Sequence, residues 1–140
     1  MLDKSSKIHI VGGTGAMGTW LKNFLESLTF SVSVSDEKSE PFDLKSEDII
    51  FISVPINLAP KVISGIAEKT SEETLIVDLS SIKSETKDAL LKSGKPSLSM
   101  HFLFGPTVHS IQNQKIIVEQ FGNSEIADEL INLLKQEGAQ

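Results

Sequence analysis

The chain is built of short apolar segments whose period changes repeatedly between that of a strand and that of a helix. β-branched runs and one stretch of strict alternation predict four strands in the first part of the chain, at residues 7–11, 30–35, 49–54 and 74–79. Between the first two strands, apolar side chains recur every three or four residues from Met17 to Leu28. This spacing predicts a helix from Gly15 to about Leu28, and the same spacing after residue 57 predicts a second helix.

The rest of the chain continues this alternation. A helix is predicted from Ile82 to about Ser93, strands at residues 97–100 and 115–119, and a last helix after Ser124, a good N-cap residue. Residues 37–48 are charged, include a proline and predict a loop with at most one turn. Strands that alternate with helices are typical of parallel sheets with right-handed crossovers. We therefore expect one α/β domain: a doubly wound, mostly parallel sheet of the Rossmann type with helices on both faces.

The composition narrows the classes of protein that fit this fold. With 140 residues, 39% of them hydrophobic, the chain has the size and apolar content of an ordinary globular domain. A net charge of −6 argues against nucleic-acid binding, and the lack of cysteine excludes disulfides and thiolate metal sites. No apolar run approaches the ~20 residues of a membrane span, and the first residues lack the apolar core of a secretory signal. We expect a cytoplasmic protein that binds neither nucleic acid nor membrane.

A glycine-rich segment, VGGTGAMG, joins the first predicted strand to the first predicted helix. It contains the spacing Gly13-x-Gly15-x-x-Gly18 of dinucleotide-binding loops. We expect Gly13 to permit a tight turn, Gly15 to let the backbone approach a pyrophosphate, and Gly18 to let the helix pack closely. The predicted cofactor-binding residues of this loop are Gly13, Thr14, Gly15, Ala16, Met17 and Gly18. Met17 also lies on the apolar face of the helix and alone would be a core residue.

An acidic residue, Asp36, ends the second predicted strand about 20 residues after the loop, where dinucleotide-binding folds carry a ribose-binding acid. A carboxylate accepts hydrogen bonds from ribose hydroxyls and repels a 2′-phosphate. All 13 basic residues are lysines, so no arginine is present to bind such a phosphate, and Lys38 stands beside two acids. The sequence therefore predicts NAD as the cofactor in preference to NADP.

Hydroxyl and imidazole side chains stand at the predicted carboxyl ends of the later strands. The residues at these ends are Ser53, Val54, Pro55, Ser80, Ser81 and His101. Ligands of doubly wound sheets bind beyond such ends, so this edge is expected to face the nicotinamide half of the dinucleotide. Ser80 and Ser81 are also suitable caps for the next helix, and His101 alone would be an ordinary polar residue closing a strand.

The other two histidines have weaker indications of function. His9 lies within the first predicted strand and is expected to be structural. His109 follows a Gly-Pro turn, where it could approach a substrate, although a solvated loop residue is the simpler interpretation. Three dispersed histidines without close acidic partners predict no metal site.

Four motifs, GGTGAMG, ISVPI, VDLSSIK and HFLFGP, occur in an order and spacing that resemble the NAD-binding domain of prephenate dehydrogenases. The similarity is greatest to the branch that includes the bifunctional chorismate mutase–prephenate dehydrogenases, and it runs from about Ile8 to Gln140. It implies NAD-dependent oxidative decarboxylation of prephenate to 4-hydroxyphenylpyruvate, a step of tyrosine biosynthesis. It further implies that His101 accepts the proton of the substrate's ring hydroxyl and that Ser81 lies near His101 and the nicotinamide. Ser53, Val54 and Pro55 match a segment that lines the cofactor.

Two departures from the family pattern stand out. Phe102 replaces the proline that follows the family histidine. Family members also continue into a helical domain that dimerises, closes over the substrate and supplies arginine-type clamps for its carboxylates. The chain ends at about the point where that domain would begin, so we expect residues 1–140 to be the cofactor domain without it. Arogenate dehydrogenase and a non-catalytic NAD-binding module are the alternatives.

Overall fold

A computed structural model describes residues 2–36, 44–80 and 84–140, and these ranges contain six strands and four helices. The strands are β1 (Lys7–Val11), β2 (Ser31–Ser35), β3 (Ile49–Ile52), β4 (Leu75–Asp78), β5 (Ser97–Phe102) and β6 (Ile116–Phe121). The helices are α1 (Ala16–Ser27), α2 (Ala59–Ala67), α3 (Ser84–Ser93) and α4 (Glu125–Gln136). Each predicted strand and helix is therefore confirmed, with differences at the ends.

The end of β5 is the difference that matters most for function. The strand continues two residues beyond its predicted end, so His101 lies within it and pairs with Ile117 of β6. By contrast, β3 stops at Ile52, which leaves Ser53 and Val54 in the connection that follows. The predicted start of the third helix at Ile82 and the first part, residues 37–43, of the loop predicted over residues 37–48 lie outside the described residues.

All six strands form one sheet in the order β2-β1-β3-β4-β5-β6. Strands β1 to β5 pair in parallel, and β6 pairs antiparallel to β5. The direction of β6 follows from its connection, because the segment between β5 and β6 contains no helix and an antiparallel neighbour needs no crossover. The predicted doubly wound, mostly parallel α/β sheet is confirmed.

Two apolar layers, one on each face of the sheet, form the core. Ile8 and Ile10 of β1 contribute to the layer beneath α1 and α4, whereas Val11 contributes to the layer beneath α2 and α3. Phe51, Leu75 and Val77 extend the first layer across the central strands. Helix α4 begins as predicted, because the Ser124 hydroxyl accepts a hydrogen bond of 3.1 Å from the Ala127 amide. The carboxyl ends of the parallel strands all lie at one edge of the sheet, where a ligand site is expected.

A polar stripe interrupts the second layer where β1 meets β2. Val32 and Val34 of β2 pack against the first apolar layer, so the alternating residues Ser31, Ser33 and Ser35 face the other side. His9 of β1 is buried on that side, with Nδ1 2.7 Å from the Ser33 hydroxyl and Nε2 2.9 Å from the Ser35 hydroxyl. The expectation that His9 is structural therefore has a specific basis: both ring nitrogens are hydrogen-bonded.

Burial lowers the pKa of His9 below its usual 6.5, because the charged imidazolium is poorly solvated there. The folded protein then binds a proton at His9 less readily than the unfolded chain. This contribution to stability is present above about pH 6.5 and is lost as the pH falls through that value toward the lower folded pKa. We expect the free energy of unfolding to decrease between about pH 7.5 and pH 5 by more in the natural protein than in His9→Gln.

Urea unfolding of both proteins over this pH range is the measurement. Burial raises the pKa of Glu47, which has the opposite sign and stabilises the fold on acidification. Only the difference between the two proteins therefore reports on His9. If the free energies of unfolding of the two proteins change in parallel with pH, the lowered pKa of His9 is contradicted.

Candidate functional site

The turn between β1 and α1 depends on Gly12, which the sequence motif did not single out. Gly12 has a φ of +85°, and its N–H donates to the Ser35 carbonyl at 2.7 Å. A Cβ at this position would lie 2.0 Å from the carbonyl oxygen of Ser53. The positive φ of the turn belongs to Gly12, whereas Gly13, for which the tight-turn role was predicted, makes room for β2, since its Cβ would meet Val34 Cγ1 at 2.5 Å. The doubled glycine after Val11 was the available signal.

The tip of the loop, formed by Thr14, Gly15 and Ala16, is exposed. Gly15 is the N-cap residue of α1, and a Cβ there would meet only the Gly12 oxygen, at 3.5 Å. The first turn of α1 contains no acidic residue. Backbone N–H groups and the positive end of the helix dipole therefore face open space, the arrangement that suits a phosphate.

Gly18 fixes the position of α1 relative to this loop. A Cβ at Gly18 would stand 2.5 Å from the Gly12 oxygen and 2.7 Å from Gly13 Cα. The helix therefore packs directly against the backbone that follows β1, as the motif predicted for this glycine. Because a Cβ at Gly18 would clash with backbone atoms, no change of side-chain conformation could relieve the clash.

Asp36 lies beside the loop because β2 ends there. The carbonyl of Ser35 accepts hydrogen bonds from the amides of Gly12 and Gly13, at 2.7 and 3.2 Å. Asp36 is the next residue and is exposed. This strand end is hydrogen-bonded to the glycine loop. An exposed carboxylate that directly follows it stands where dinucleotide-binding folds bind a ribose.

A cleft of about 450 Å³ opens at the carboxyl ends of β3, β4 and β5. Its lining includes five residues predicted for the site: Met17, Ser53, Val54, Ser80 and His101. Phe102, Phe104 and Pro106 complete much of the wall. Pro55 is exposed and lies outside this lining, where its carbonyl accepts from the Leu58 amide at the start of α2. Ser81 lies outside the described residues.

Ser80 is held by a buried acid that sequence reasoning missed. Its hydroxyl donates to Asp78 Oδ1 at 2.5 Å, and its N–H reaches the same oxygen at 3.3 Å. Asp78 is fully buried at the end of β4. The hydroxyl proton of Ser80 is therefore directed at Asp78, which leaves its oxygen as an acceptor toward the cleft. An acid that closes an otherwise apolar strand was the signal in the sequence.

The backbone after His101 is anchored by aromatic rings. Phe102 stacks on Phe104 with ring centroids 5.0 Å apart, and both meet Trp20 of α1 edge-on, at 6.3 and 5.1 Å. The Trp20 indole N–H donates to the Val108 carbonyl at 3.0 Å. Phe102 thus restrains this segment by packing where family members have a proline. His109 is exposed and does not line the cleft.

Comparison with known proteins identifies the family. A sequence model described as "Prephenate dehydrogenase, nucleotide-binding domain" matches residues 17–140. The chain belongs to this family. The match confirms the predicted resemblance to the prephenate dehydrogenase family, and it begins at Met17, near the end of the glycine loop.

Among similar proteins is a probable arogenate/prephenate dehydrogenase of Methanocaldococcus jannaschii, 30% identical over 162 positions that cover 99% of the chain and 36% of the relative. A T-protein of Enterobacter agglomerans is 32% identical over 114 positions, covering 79% of the chain and 30% of the relative. The chain thus spans about a third of the length of these relatives.

Solved structures confirm the Rossmann-type fold. Synechocystis arogenate dehydrogenase superposes with a TM-score of 0.81 at 16% identity, covering 96% of the chain and 58% of that structure. A prephenate dehydrogenase from A. aeolicus, in complex with hydroxyphenyl propionate and NAD+, gives a TM-score of 0.77 at 15% identity, covering 100% and 60%. Within the three described ranges, no helix is long and apolar enough to cross a membrane, and no group of three or more metal-binding side chains occurs.

Gly12 and Gly15 provide a matched pair for testing the loop. Gly12→Ala is expected to destabilise the fold by about 2–5 kcal/mol, because it combines a strained φ with a clash against backbone. Gly15→Ala has an ordinary φ of −75° and open space, so its stability should stay within about 1 kcal/mol of the natural protein. Urea unfolding of the two variants measures this difference. Equal stabilities would contradict the close approach of Gly12 to Ser53.

Proposed function

We propose that residues 1–140 are the NAD-binding domain of a cytoplasmic dehydrogenase that oxidises prephenate, with arogenate as the alternative substrate. The observation that carries the proposal is the single cleft that brings His101, Ser80 and Ser53 together beside the helix that follows the glycine loop. Membership of the prephenate dehydrogenase family supports it. Prephenate and arogenate differ only in the side chain, away from the ring hydroxyl, so a base placed for one would also serve the other.

The described residues fit NAD. The open N-terminus of α1 at Gly15 would hold the pyrophosphate, and Asp36 would accept hydrogen bonds from the ribose hydroxyls. Ser53 and Val54 line the cleft in which the nicotinamide end would lie. When bound, NAD supplies a hydride acceptor, and the chain's own residues supply position and one base.

His101 is the residue that we assign as the base. It is half-exposed at the end of β5, so one ring nitrogen can reach a ligand in the cleft. In the proposed reaction this nitrogen takes the proton of the ring hydroxyl while hydride leaves the same ring carbon. The ring carboxylate then departs as CO2, and its bonding electrons complete the aromatic ring. Ser80 presents an acceptor oxygen in the same cleft, and the role of Ser81 beside His101 stays a prediction.

The substrate's carboxylates need partners that this chain does not provide. Prephenate carries two of them, and arginine is the side chain that binds carboxylates in a bidentate fashion. The chain contains no arginine. We propose that these contacts, and dimerisation, come from a helical domain that the family carries in addition to the cofactor domain.

The same lack of arginine favours a second candidate function, a non-catalytic NAD-binding module. Both candidates require NAD binding, and they differ in turnover. In the complete protein, where the proposed helical domain would supply the carboxylate contacts, NAD binding without NADH formation from either prephenate or arogenate would support the module.

Cofactor preference tests the role of Asp36. Calorimetric titration is expected to show saturable NAD binding with NADP at least about tenfold weaker, because the carboxylate repels a 2′-phosphate. Asp36→Asn should reduce this preference to below about threefold. Gly15→Ala should weaken both cofactors alike, because its methyl group would occupy the approach of the pyrophosphate that they share. Equal affinity of the natural chain for NAD and NADP would overturn the assignment of Asp36.

Turnover tests the role of His101. The test uses the complete enzyme, in which the proposed helical domain accompanies residues 1–140, and the measurement is the appearance of NADH absorbance with NAD and prephenate, or with arogenate in a parallel assay. His101→Asn is expected to slow NADH formation by about 10²–10⁴-fold, the usual contribution of a general base. Its NAD affinity should stay within about twofold of the natural protein, since no cofactor contact is assigned to this ring. His109→Asn, which changes an exposed histidine outside the cleft, is the matched control and should keep the natural rate. An unchanged rate in His101→Asn would remove His101 from the mechanism.

A further inference from the structure

His9 is the most completely bonded histidine in the described chain, yet it lies away from the cleft. It is 6% exposed and faces Ser33, its register partner on β2. Nδ1 lies 2.7 Å from the Ser33 hydroxyl, and Nε2 lies 2.9 Å from the Ser35 hydroxyl. A neutral imidazole donates through one nitrogen and accepts through the other, so one rigid ring connects two serines on the same face of β2.

The second of these serines is in direct contact with the glycine loop. The backbone carbonyl of Ser35 accepts from the Gly12 and Gly13 amides. Asp36, the proposed ribose ligand, follows it immediately. The path from the His9 ring to Asp36 therefore passes through a single residue, Ser35, whose side chain and backbone are both hydrogen-bonded to β1 and its loop.

Strand β2 needs this additional restraint because it is the edge strand of the sheet. Among the strands of the described ranges, it pairs only with β1. A strand with one neighbour has half of the ladder bonds of a central strand, and its ends open more readily. Side-chain bonds to Ser33 and Ser35 connect the carboxyl half of β2 to a buried residue of β1.

We propose that His9 is a positioning residue for cofactor selection: through Nε2 and Ser35, it fixes the end of β2 so that Asp36 stands at the ribose. The inference rests on the proposed NAD site and adds a specific contact to it. A carboxylate held in place binds the ribose hydroxyls more tightly than one on a loose strand end, because less conformational freedom is lost on binding. NADP gains nothing from a well-placed Asp36, so the two cofactors should respond differently.

Two conservative substitutions separate the two ring contacts. The side-chain amide of glutamine can place its nitrogen near the position of Nε2, whereas that of asparagine places its nitrogen near Nδ1. His9→Gln should therefore keep the contact with Ser35, and His9→Asn should keep only the contact with Ser33. Ser35→Ala and Ser33→Ala remove the same contacts from the other side and form a second matched pair.

Calorimetric titration with NAD and NADP, together with amide hydrogen exchange of Gly12, is the experiment. His9→Asn and Ser35→Ala are expected to bind NAD about threefold to tenfold more weakly, as the loss of one hydrogen bond predicts, with NADP affinity unchanged. His9→Gln and Ser33→Ala should stay within about twofold of the natural protein for both cofactors. The Gly12 amide should exchange faster only in the first pair of variants.

The outcomes separate this inference from the proposed function. If the natural chain shows no preference for NAD, the proposed site fails and the inference fails with it. If the natural chain prefers NAD but the two His9 variants bind it alike, or if NAD and NADP weaken together, the inference alone is overturned. Thermal unfolding of every variant provides the stability control, because a purely structural role for His9 would lower the melting temperature without changing the ratio of the two affinities.

Discussion

The close backbone contact at Gly12 is the constraint on which the site depends. At this residue the end of β1 meets the Ser35 carbonyl on one side and the Ser53 carbonyl on the other, and α1 packs on it through Gly18. Any side chain at Gly12 would separate these elements. Three elements therefore share one point of attachment: the helix that we propose to bind phosphate, the strand that leads to Asp36, and the segment that lines the cleft.

Helix α1 connects the two ends of the site. Its N-terminus is open at Gly15, and Trp20 reaches from the same helix to the segment that follows His101. The two regions are far apart in sequence, and a rigid helix sets their separation. Helix α1 therefore connects the loop at which we propose the pyrophosphate to the segment that follows His101, the proposed base.

Much of the fold and of the nucleotide site could be predicted, because both rest on local patterns. The periodicity of the apolar residues and the spacing of the glycines predicted the order of the elements and the position of the glycine loop, whereas contacts between distant residues could not be read from them. The need for glycine at position 12 depends on the Ser53 carbonyl, which is 41 residues away in sequence. The restraint of Ser80 depends on the orientation of the Asp78 carboxylate. Phe102 departed from the expected motif, and only the position of Trp20 on α1 explains how the backbone is held without a proline.

The exchange of a proline for a packed ring has a consequence for how this sequence can vary. A proline restricts the backbone by itself, whatever surrounds it, whereas Phe102 does so only through Trp20 and Phe104. Residues in contact respond to substitution non-additively, so the effect of a change at one of these rings depends on which residues occupy the other two. The three positions are therefore expected to be epistatic. A proline at position 102 would be tolerated only together with compensating substitutions at Trp20 and Phe104, so these positions are expected to change together during evolution.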